Sequence, residues 1–350
     1  MTGERARLAD VAAAAGVSAS TASLILNDRA VRVAPETRER VRLAASQAGY
    51  SPNSVARGLR TQRTRMIGLV SDSIATTPFA GKMLAGAQDV AREHGYLVVL
   101  VDTGSDPEVE RGAIRALADH QVDALIYASM WHRVVEPPSS LPTNTVYLDC
   151  RPIAGGSPSV VPDDLGGAVA AVRALVAAGH RRIAYVDVDE EHAPVASGLR
   201  FDGYRSVLAE AGIEHDPALH IRTPISSAGG RAATDALLDL ADGRAPTALF
   251  CFNDRIAAGA YAAARHRGLD IPRDLSIVGY DDQDYVASEL DPPLTTVALP
   301  HYAMGRWAME VALRERSPHD DGGVHLMPCP IIVRDSVGPP PADAISRRRR

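Results

Sequence analysis

Residues 8–27 read Leu8-Ala-Asp-Val-Ala-Ala-Ala-Ala-Gly-Val-Ser-Ala-Ser-Thr-Ala-Ser-Leu-Ile-Leu-Asn27. Leu8, Val11, Ala12 and Ala15 recur at the three- and four-residue spacing of one helix face, and Gly16 stops that helix. Ala22, Ile25 and Leu26 mark the buried face of a second helix that starts at Ala19. A third begins near Pro35, a residue suited to a first helical turn, and runs through Val41, Ala44 and Ala48 to Gly49. Ser51-Pro52-Asn53 breaks the pattern, and Ser54–Arg60 is a marginal helical stretch leading into a basic linker.

Outward from this segment the charge changes sign. Residues 1–65 hold eleven arginines against five acids, a net of +6, while the whole chain stands at −6, so residues 66–350 carry −12. A basic end on an acidic body is built to hold phosphates at that end only. At roughly 150 residues per domain, 350 residues imply two or three folded units. A hydrophobic content of 46% excludes wholesale disorder. No run approaches the ~18 apolar residues that cross a bilayer, and Met1–Arg7 has no apolar signal core, so a cytoplasmic, nucleoid-associated protein is expected. Cys150, Cys251 and Cys329 lie far apart in apolar runs and read as buried reduced thiols rather than a disulfide or metal framework.

From Met66 the period changes. Short β-rich runs (Ile67–Val70, Tyr96–Val101, Ala124–Tyr127, Val146–Leu148, Ile183–Val186, Ala248–Phe252, Leu275–Gly279) alternate with helical patterns near 80–94, 107–120, 164–179, 198–212, 228–243 and 254–268. That alternation predicts an α/β fold with parallel sheets covered by helices on both faces. The units exceed one sheet, so two lobes are expected, dividing near Pro162-Asp163. The tail from Gly338 to Arg350 lacks an apolar period and reads as disordered.

Open α/β sheets bind ligands beyond the carboxyl ends of their strands. Asp72, Ser129, Asp149, Asn253-Asp254 and Asp281-Asp282 fall there, and Arg200 lies near the start of a helix. Carboxylates and amides converging with one arginine suit a polyhydroxyl ligand, whose hydroxyls both donate and accept. The bland alternatives are helix caps for Asp254 and Asp282 and a surface ion pair for Arg200. An enzyme is the first rival, but no phosphate loop, dinucleotide fingerprint or zinc-helix motif is present, and no cofactor or metal is expected. His319–His325, with two histidines and two acids, reads as a solvated loop. An extracytoplasmic solute-binding protein, which shares a two-lobed fold, is the second rival, and the basic N-terminal end and missing signal core count against it. A cytoplasmic small-molecule (sugar) binding protein or a sugar-acting enzyme, without operator-specific binding, is the alternative function.

The opening stretch resembles the helix-turn-helix of the lac repressor family, through Asp10-Val11, Ala15-Gly16-Val17-Ser18, Ser20-Thr21 and Leu26-Asn27. Glu36-Thr37-Arg38 and Gly49-Tyr50-Ser51-Pro52-Asn53 are similar to its third helix and hinge. Asp149, Gly179-His180, Leu199-Arg200, Asn253-Asp254, Val278–Asp282 and Pro293–Thr296 extend the likeness across about residues 6–336.

The resemblance implies a transcriptional regulator, most simply a repressor, with an N-terminal all-α headpiece and a two-lobed effector body like a periplasmic binding protein. Its expected organisation is headpiece 1–50, hinge helix and linker 51–65, first lobe 66–162 with about 300–327, second lobe 163–299 with about 328–337, and tail 338–350. The implied DNA-facing residues are Ala19, Ser20, Thr21, Ser23, Leu24 and Asn27 in the major groove, with Asn53, Ala56, Arg57, Leu59 and Arg60 in the hinge. Leu59 is the implied minor-groove wedge. Leu24 departs from the family, which often has an arginine there, so guanine readout by a bidentate fork is lost. Arg7 and Ala34 replace the usual capping Ser or Thr, so two helices are expected to lack side-chain N-caps. The implied effector residues are Asp72, Phe79, Ser129, Asp149, Arg200, Asn253 and Asp281, with a sugar as the expected ligand. Arg200→Ala is then expected to remove the effector's influence while sparing effector-free DNA binding. A homodimer on a pseudo-palindromic double-stranded operator follows, with the helix near Phe79–His94 as a contact.

Overall fold

The computed structural model describes residues 6–26, 32–50, 63–74, 77, 80–188, 195–241, 243–318 and 323–342. The chain divides into two compact units, Met1–Arg65 and Met66–Arg350.

In the first unit α1 (Leu8–Ala15), α2 (Ala19–Leu26) and α3 (Pro35–Gln47) close over a small core of Val11, Ala12, Ala15, Ala22, Ile25, Val41, Ala44 and Ala45. Gly16 takes the left-handed conformation (φ 66°) that ends α1 and turns the chain into α2, a geometry glycine adopts without steric cost. Neither Arg7 nor Ala34 caps its helix with a side chain. Asp10 supplies half of a capping box instead, accepting the Arg7 backbone N–H at 2.9 Å. Ser18 caps α2, its Oγ accepting the Thr21 N–H at 3.1 Å.

The second unit holds two six-stranded sheets. The first contains β1 (Met66–Ser71), β2 (Leu97–Asp102), β3 (Ala124–Val135), β4 (Thr145–Pro152), β5 (Ser159–Pro162) and β11 (Val324–Met327), in the order β11-β5-β4-β3-β1-β2 and parallel throughout. Helices α4 (Gly81–Glu93), α5 (Pro107–Asp119) and α10 (His301–Ala312) belong to this lobe. The second contains β6 (Ile183–Val188), β7 (His220–Thr223), β8 (Ala248–Cys251), β9 (Ser276–Asp281), β10 (Thr295–Ala298) and β12 (Ile331–Ile332), in the order β12-β10-β9-β8-β6-β7. Only β12 is antiparallel in it, among the described strands. Helices α6 (Asp164–Ala177), α7 (Val195–Glu210), α8 (Ser227–Leu238) and α9 (Asp254–His266) pack around it. The chain therefore crosses between lobes three times: from β5 to α6, from β10 to α10 and from β11 to β12. The near-continuous apolar runs of β6, β8 and β9 follow from burial on both faces.

Two expectations are corrected. The tail is ordered through residue 342: His180, buried under the second sheet, directs its Nε2 to the Gly338 carbonyl at 2.9 Å, and the Ser276 hydroxyl donates to the same carbonyl at 3.2 Å. Those buried partners outweigh the absence of an apolar period. The third strand does not stop at Tyr127. It resumes after a register shift between Ala128 and Arg133, so that Arg133–Val135 pair with Cys150–Pro152. Residues Ser129–His132 are the extra segment.

Backbone-close helix packing sets the positions of α4 and α10. A Cβ on Gly86 would meet the Tyr302 carbonyl oxygen, and one on Gly305 would meet that of Met83. Gly86→Ala is expected to lose about 1–3 kcal/mol by forcing the helices apart. Gly112→Ala, in the middle of α5 with nothing within 4 Å of the added atom, is expected to gain roughly 0.5–1 kcal/mol. Urea unfolding midpoints compare the two, and equal effects would contradict the packing argument.

Candidate functional site

The headpiece presents the start of α2 to solvent. Ala19 and Ser20 are exposed, Thr21, Ser23 and Leu24 are half-buried, and the inward positions are Ala22 and Ile25. Leu24 is absent from the residues that pack on the headpiece core, whereas its neighbour Leu26 is among them. The helix therefore offers small and polar side chains plus one leucine, suited to thymine methyls rather than to guanine edges. Asn27, Asn53, Ala56, Arg57, Leu59 and Arg60 lie outside the described residues, as does Phe79 of the effector set.

In the second unit, Arg200 is the centre of a buried polar cluster. It is 3% exposed, so it is not the surface ion pair that its charge alone suggests. Its guanidinium lies over the Tyr280 ring at 3.5 Å and the Phe252 ring at 4.5 Å. Nε and Nη2 both reach Asp164 Oδ1 at 2.9 Å, and Nη1 donates to the Phe252 carbonyl at 2.6 Å. Asp164 is fully buried, and its other oxygen accepts from His132 Nδ1 at 2.9 Å. Burial alone would push the Asp164 carboxyl up, but Arg200 and His132 hold it below its ordinary value. Burial likewise opposes the Arg200 charge, and Asp164, Tyr280 and Asp281 outweigh it. His132 stands on β3 of the first lobe and Asp164 on α6 of the second, so this bond joins the lobes. Trp131, beside His132, packs on both lobe cores.

Around this pair stand polar atoms with no hydrogen-bond partner: Asp149 Oδ1, Asn253 Nδ2 and Asp281 Oδ1. Asn253 caps α9, its Oδ1 accepting the Ile256 N–H at 3.0 Å, which leaves its amide nitrogen over. Asp281 accepts from Gln283 Nε2 at 2.8 Å through Oδ2, while Oδ1 is 3.8 Å from Arg200 Nη1, beyond a hydrogen bond. Its φ of 102° is a strained backbone for a non-glycine residue, of the kind that clusters at ligand clamps. Burial pushes Asp281 up to about 6, with Arg200 opposing, and pushes Asp149 well above its ordinary value with Asp164 adding to the shift.

Asp72 and Ser129 sit in a second group on the first lobe. Asp72 accepts from Arg133 at 2.6 Å and from the Met130 N–H at 2.9 Å. With Ser129, Tyr127 and Arg133 it lines a cavity of about 130 Å³. Asp149 lies within electrostatic reach of both groups. Asp254 is not a helix cap: it accepts from Thr296 Oγ1 at 2.6 Å and the Gln283 N–H at 2.7 Å. Asp282 pairs with Arg334 at 2.7 Å. Sequence reasoning missed Asp164, His132 and Arg133. Asp163-Asp164 after a strand was a signal for a helix start, and it is one, since Asp163 caps α6 while Asp164 turns inward.

The raised Asp281 carboxyl has a stability consequence. The folded chain holds that proton more tightly than the unfolded chain, so its stabilising effect is full below 3.8 and is lost as pH rises through about 6. In the effector-free protein, the stability of the parent relative to Asp281→Asn should fall by roughly 3 kcal/mol across that window. Urea unfolding over a pH series reads the difference, and a flat one contradicts the burial argument.

Comparison with known proteins agrees with the arrangement. Residues 7–53 match the model of bacterial regulatory proteins of the lacI family, and residues 172–337 match a periplasmic binding protein-like domain. The chain is 34% identical over 336 residues to the HTH-type transcriptional repressor CytR of Escherichia coli K12, covering 95% of this chain and 96% of that one. Among solved structures, the lac repressor dimer bound to operator and the anti-inducer ONPF aligns with a TM-score of 0.76 at 27% identity, covering 96% of this chain and all of that one. A complex of the transcriptional regulator CelR with cellobiose aligns with a TM-score of 0.64 at 30% identity, covering 95% and 100%.

Proposed function

The chain belongs to the lacI family of bacterial regulatory proteins, and we propose that Arg200, Asp149, Asn253 and Asp281 form the site through which a small-molecule effector sets its operator affinity. It is a sequence-specific DNA-binding transcriptional regulator, not an enzyme, in keeping with relatives that carry regulator and repressor names. The observation that carries the effector assignment is the set of buried, partnerless atoms on Asp149, Asn253 and Asp281 around one guanidinium. Unmade hydrogen bonds of that kind are costly, and a hydroxylated ligand supplies the missing donors and acceptors. The cellobiose complex of CelR supports a sugar-like effector, and the operator-bound lac repressor dimer supports a homodimer on operator DNA, whose two-fold symmetry makes a pseudo-palindromic site the expected target.

The switch is a shift between lobe arrangements. The His132–Asp164 bond belongs to one arrangement of the lobes, and an effector biases the equilibrium only by its differential affinity for the alternatives. DNA contact rests on α2 and, by resemblance, on the hinge around Leu59. Footprinting on the region upstream of the chain's own gene, with the operator recovered by selection from random DNA, tests this reading. A protected stretch with two half-sites is expected. Protection of a single half-site, or none on any selected sequence, would contradict it.

A further inference from the structure

Asp164 is the first residue of α6, directly after the crossing from β5, so it stands at the joint between the lobes. Its two oxygens are divided between them. Oδ1 accepts from Nε and Nη2 of Arg200 on the second lobe, and Oδ2 from Nδ1 of His132 on the first. Arg200 and His132 hold this carboxyl in its charged form, and a carboxylate only accepts, so the His132 ring carries a proton on Nδ1. Asp281 stands 3.8 Å from Arg200, beyond a hydrogen bond, which leaves Asp164 as the carboxylate that orients the guanidinium.

The first-lobe partner comes from the extra segment of β3. Residues 129–132 stand opposite the single Asp149 of β4, whose φ of 56° is left-handed. Asp72 anchors both flanks of Trp131-His132, accepting from the Met130 N–H at 2.9 Å and from the Arg133 guanidinium at 2.6 Å. Asp72 is itself fixed just past β1, where it also accepts the Ser73 N–H at 2.7 Å. Trp131 fills the seam by packing on both lobe cores, and His132 is buried. Bulges of this kind re-aim a side chain, and this one sends an imidazole across the joint.

On the reading of the Arg200 cluster as the effector site, we propose that His132 is a positioning residue of the switch. Acting through Asp164, it braces the joint between the lobes and fixes Arg200, so the lobe arrangement of the ligand-free protein, and with it operator affinity, depends on this imidazole. Losing one hydrogen bond to a charged group shifts a two-state equilibrium about 10- to 100-fold. The brace therefore sets the starting point from which an effector works.

The chain's two tryptophans supply the readout. Trp131 lies in the seam, while Trp307, 2% exposed in the first-lobe core, is a constant background. Acrylamide quenching and affinity for the selected operator are measured without ligand on the full-length parent and three variants, whose unfolding temperatures confirm that they fold. His132→Phe keeps a ring and loses the N–H. His132→Gln places its N–H near the position of Nε2 and loses the bond as well, while His132→Asn keeps an N–H near that of Nδ1. In the first two, quenching is expected to rise severalfold as the seam opens, and operator affinity to change about fivefold or more. His132→Asn is expected to stay close to the parent in both. A merely structural histidine would move unfolding temperature and neither readout. Quenching and operator affinity unchanged in the Phe and Gln variants, or altered equally in all three, overturn the brace and leave the effector reading standing. A seam that opens with operator affinity unaltered overturns the proposal together with the reading that the lobe arrangement sets operator affinity.

Discussion

Arg200→Ala is expected to destabilise the effector unit by about 3–5 kcal/mol, because it strands the buried Asp164 carboxylate without its guanidinium. The thermal midpoint should drop on the order of 10 °C. Sequence alone suggests that this substitution removes the effector response and spares effector-free DNA binding. Burial of the pair adds a stability cost to that expectation, since a group 3% exposed and bonded to Asp164 and the Phe252 carbonyl cannot be deleted as a surface arm is. The double variant Asp164→Asn with Arg200→Met keeps an acceptor for His132 and leaves no unpaired charge, so it should recover more than half of the loss. Recovery of that size shows that the damage comes from the stranded charge. Equal losses in single and double variants would show that shape, not charge, holds the cluster.

Leu59→Ala is expected to weaken operator binding about 100-fold, equivalent to about 2.7 kcal/mol. The argument comes from sequence, since Leu59 lies outside the described residues. The recognition helix presents Ala19, Ser20, Thr21, Ser23 and Leu24 and no charged side chain, so direct readout there is weak. An apolar wedge that kinks the duplex at a central step then carries a large share of specificity. Unfolding temperature, oligomeric state and ligand binding should be unchanged in this variant. Operator affinity equal to that of the parent would remove the wedge.

Much of this architecture is legible in the residues. The spacing of Val11, Ala12 and Ala15 against Ala22 and Ile25 gives the headpiece core, and the turn at Gly16 is readable from glycine alone. The apolar runs at Ile183–Val186 and Ala248–Phe252 mark central strands because both faces are buried. The short strands β5, β7, β10, β11 and β12 escape, since two to four residues give no period to detect. So does the outer part of β3, where Trp131, His132 and Arg133 interrupt the apolar pattern and turn toward the cleft. Asp149, Asn253 and Asp281 were readable as polar groups at strand ends. Asp164 was not, because an aspartate in the first turn of a helix has an ordinary reading as a favourable partner of the helix dipole. Only the fold reveals that it points at Arg200.

The most direct measurement is fluorescence anisotropy of the full-length protein on its mapped operator, at about 50 and about 200 mM salt, with and without the cleft ligand. The account predicts a loss of affinity on the order of 1,000-fold between the two salt concentrations, from arginine–phosphate contacts. It also predicts a ligand-induced change of roughly 5- to 150-fold that Asp281→Asn abolishes without altering ligand-free binding. Binding that is insensitive to salt, or a ligand that occupies the cleft and leaves operator affinity unchanged, would contradict it.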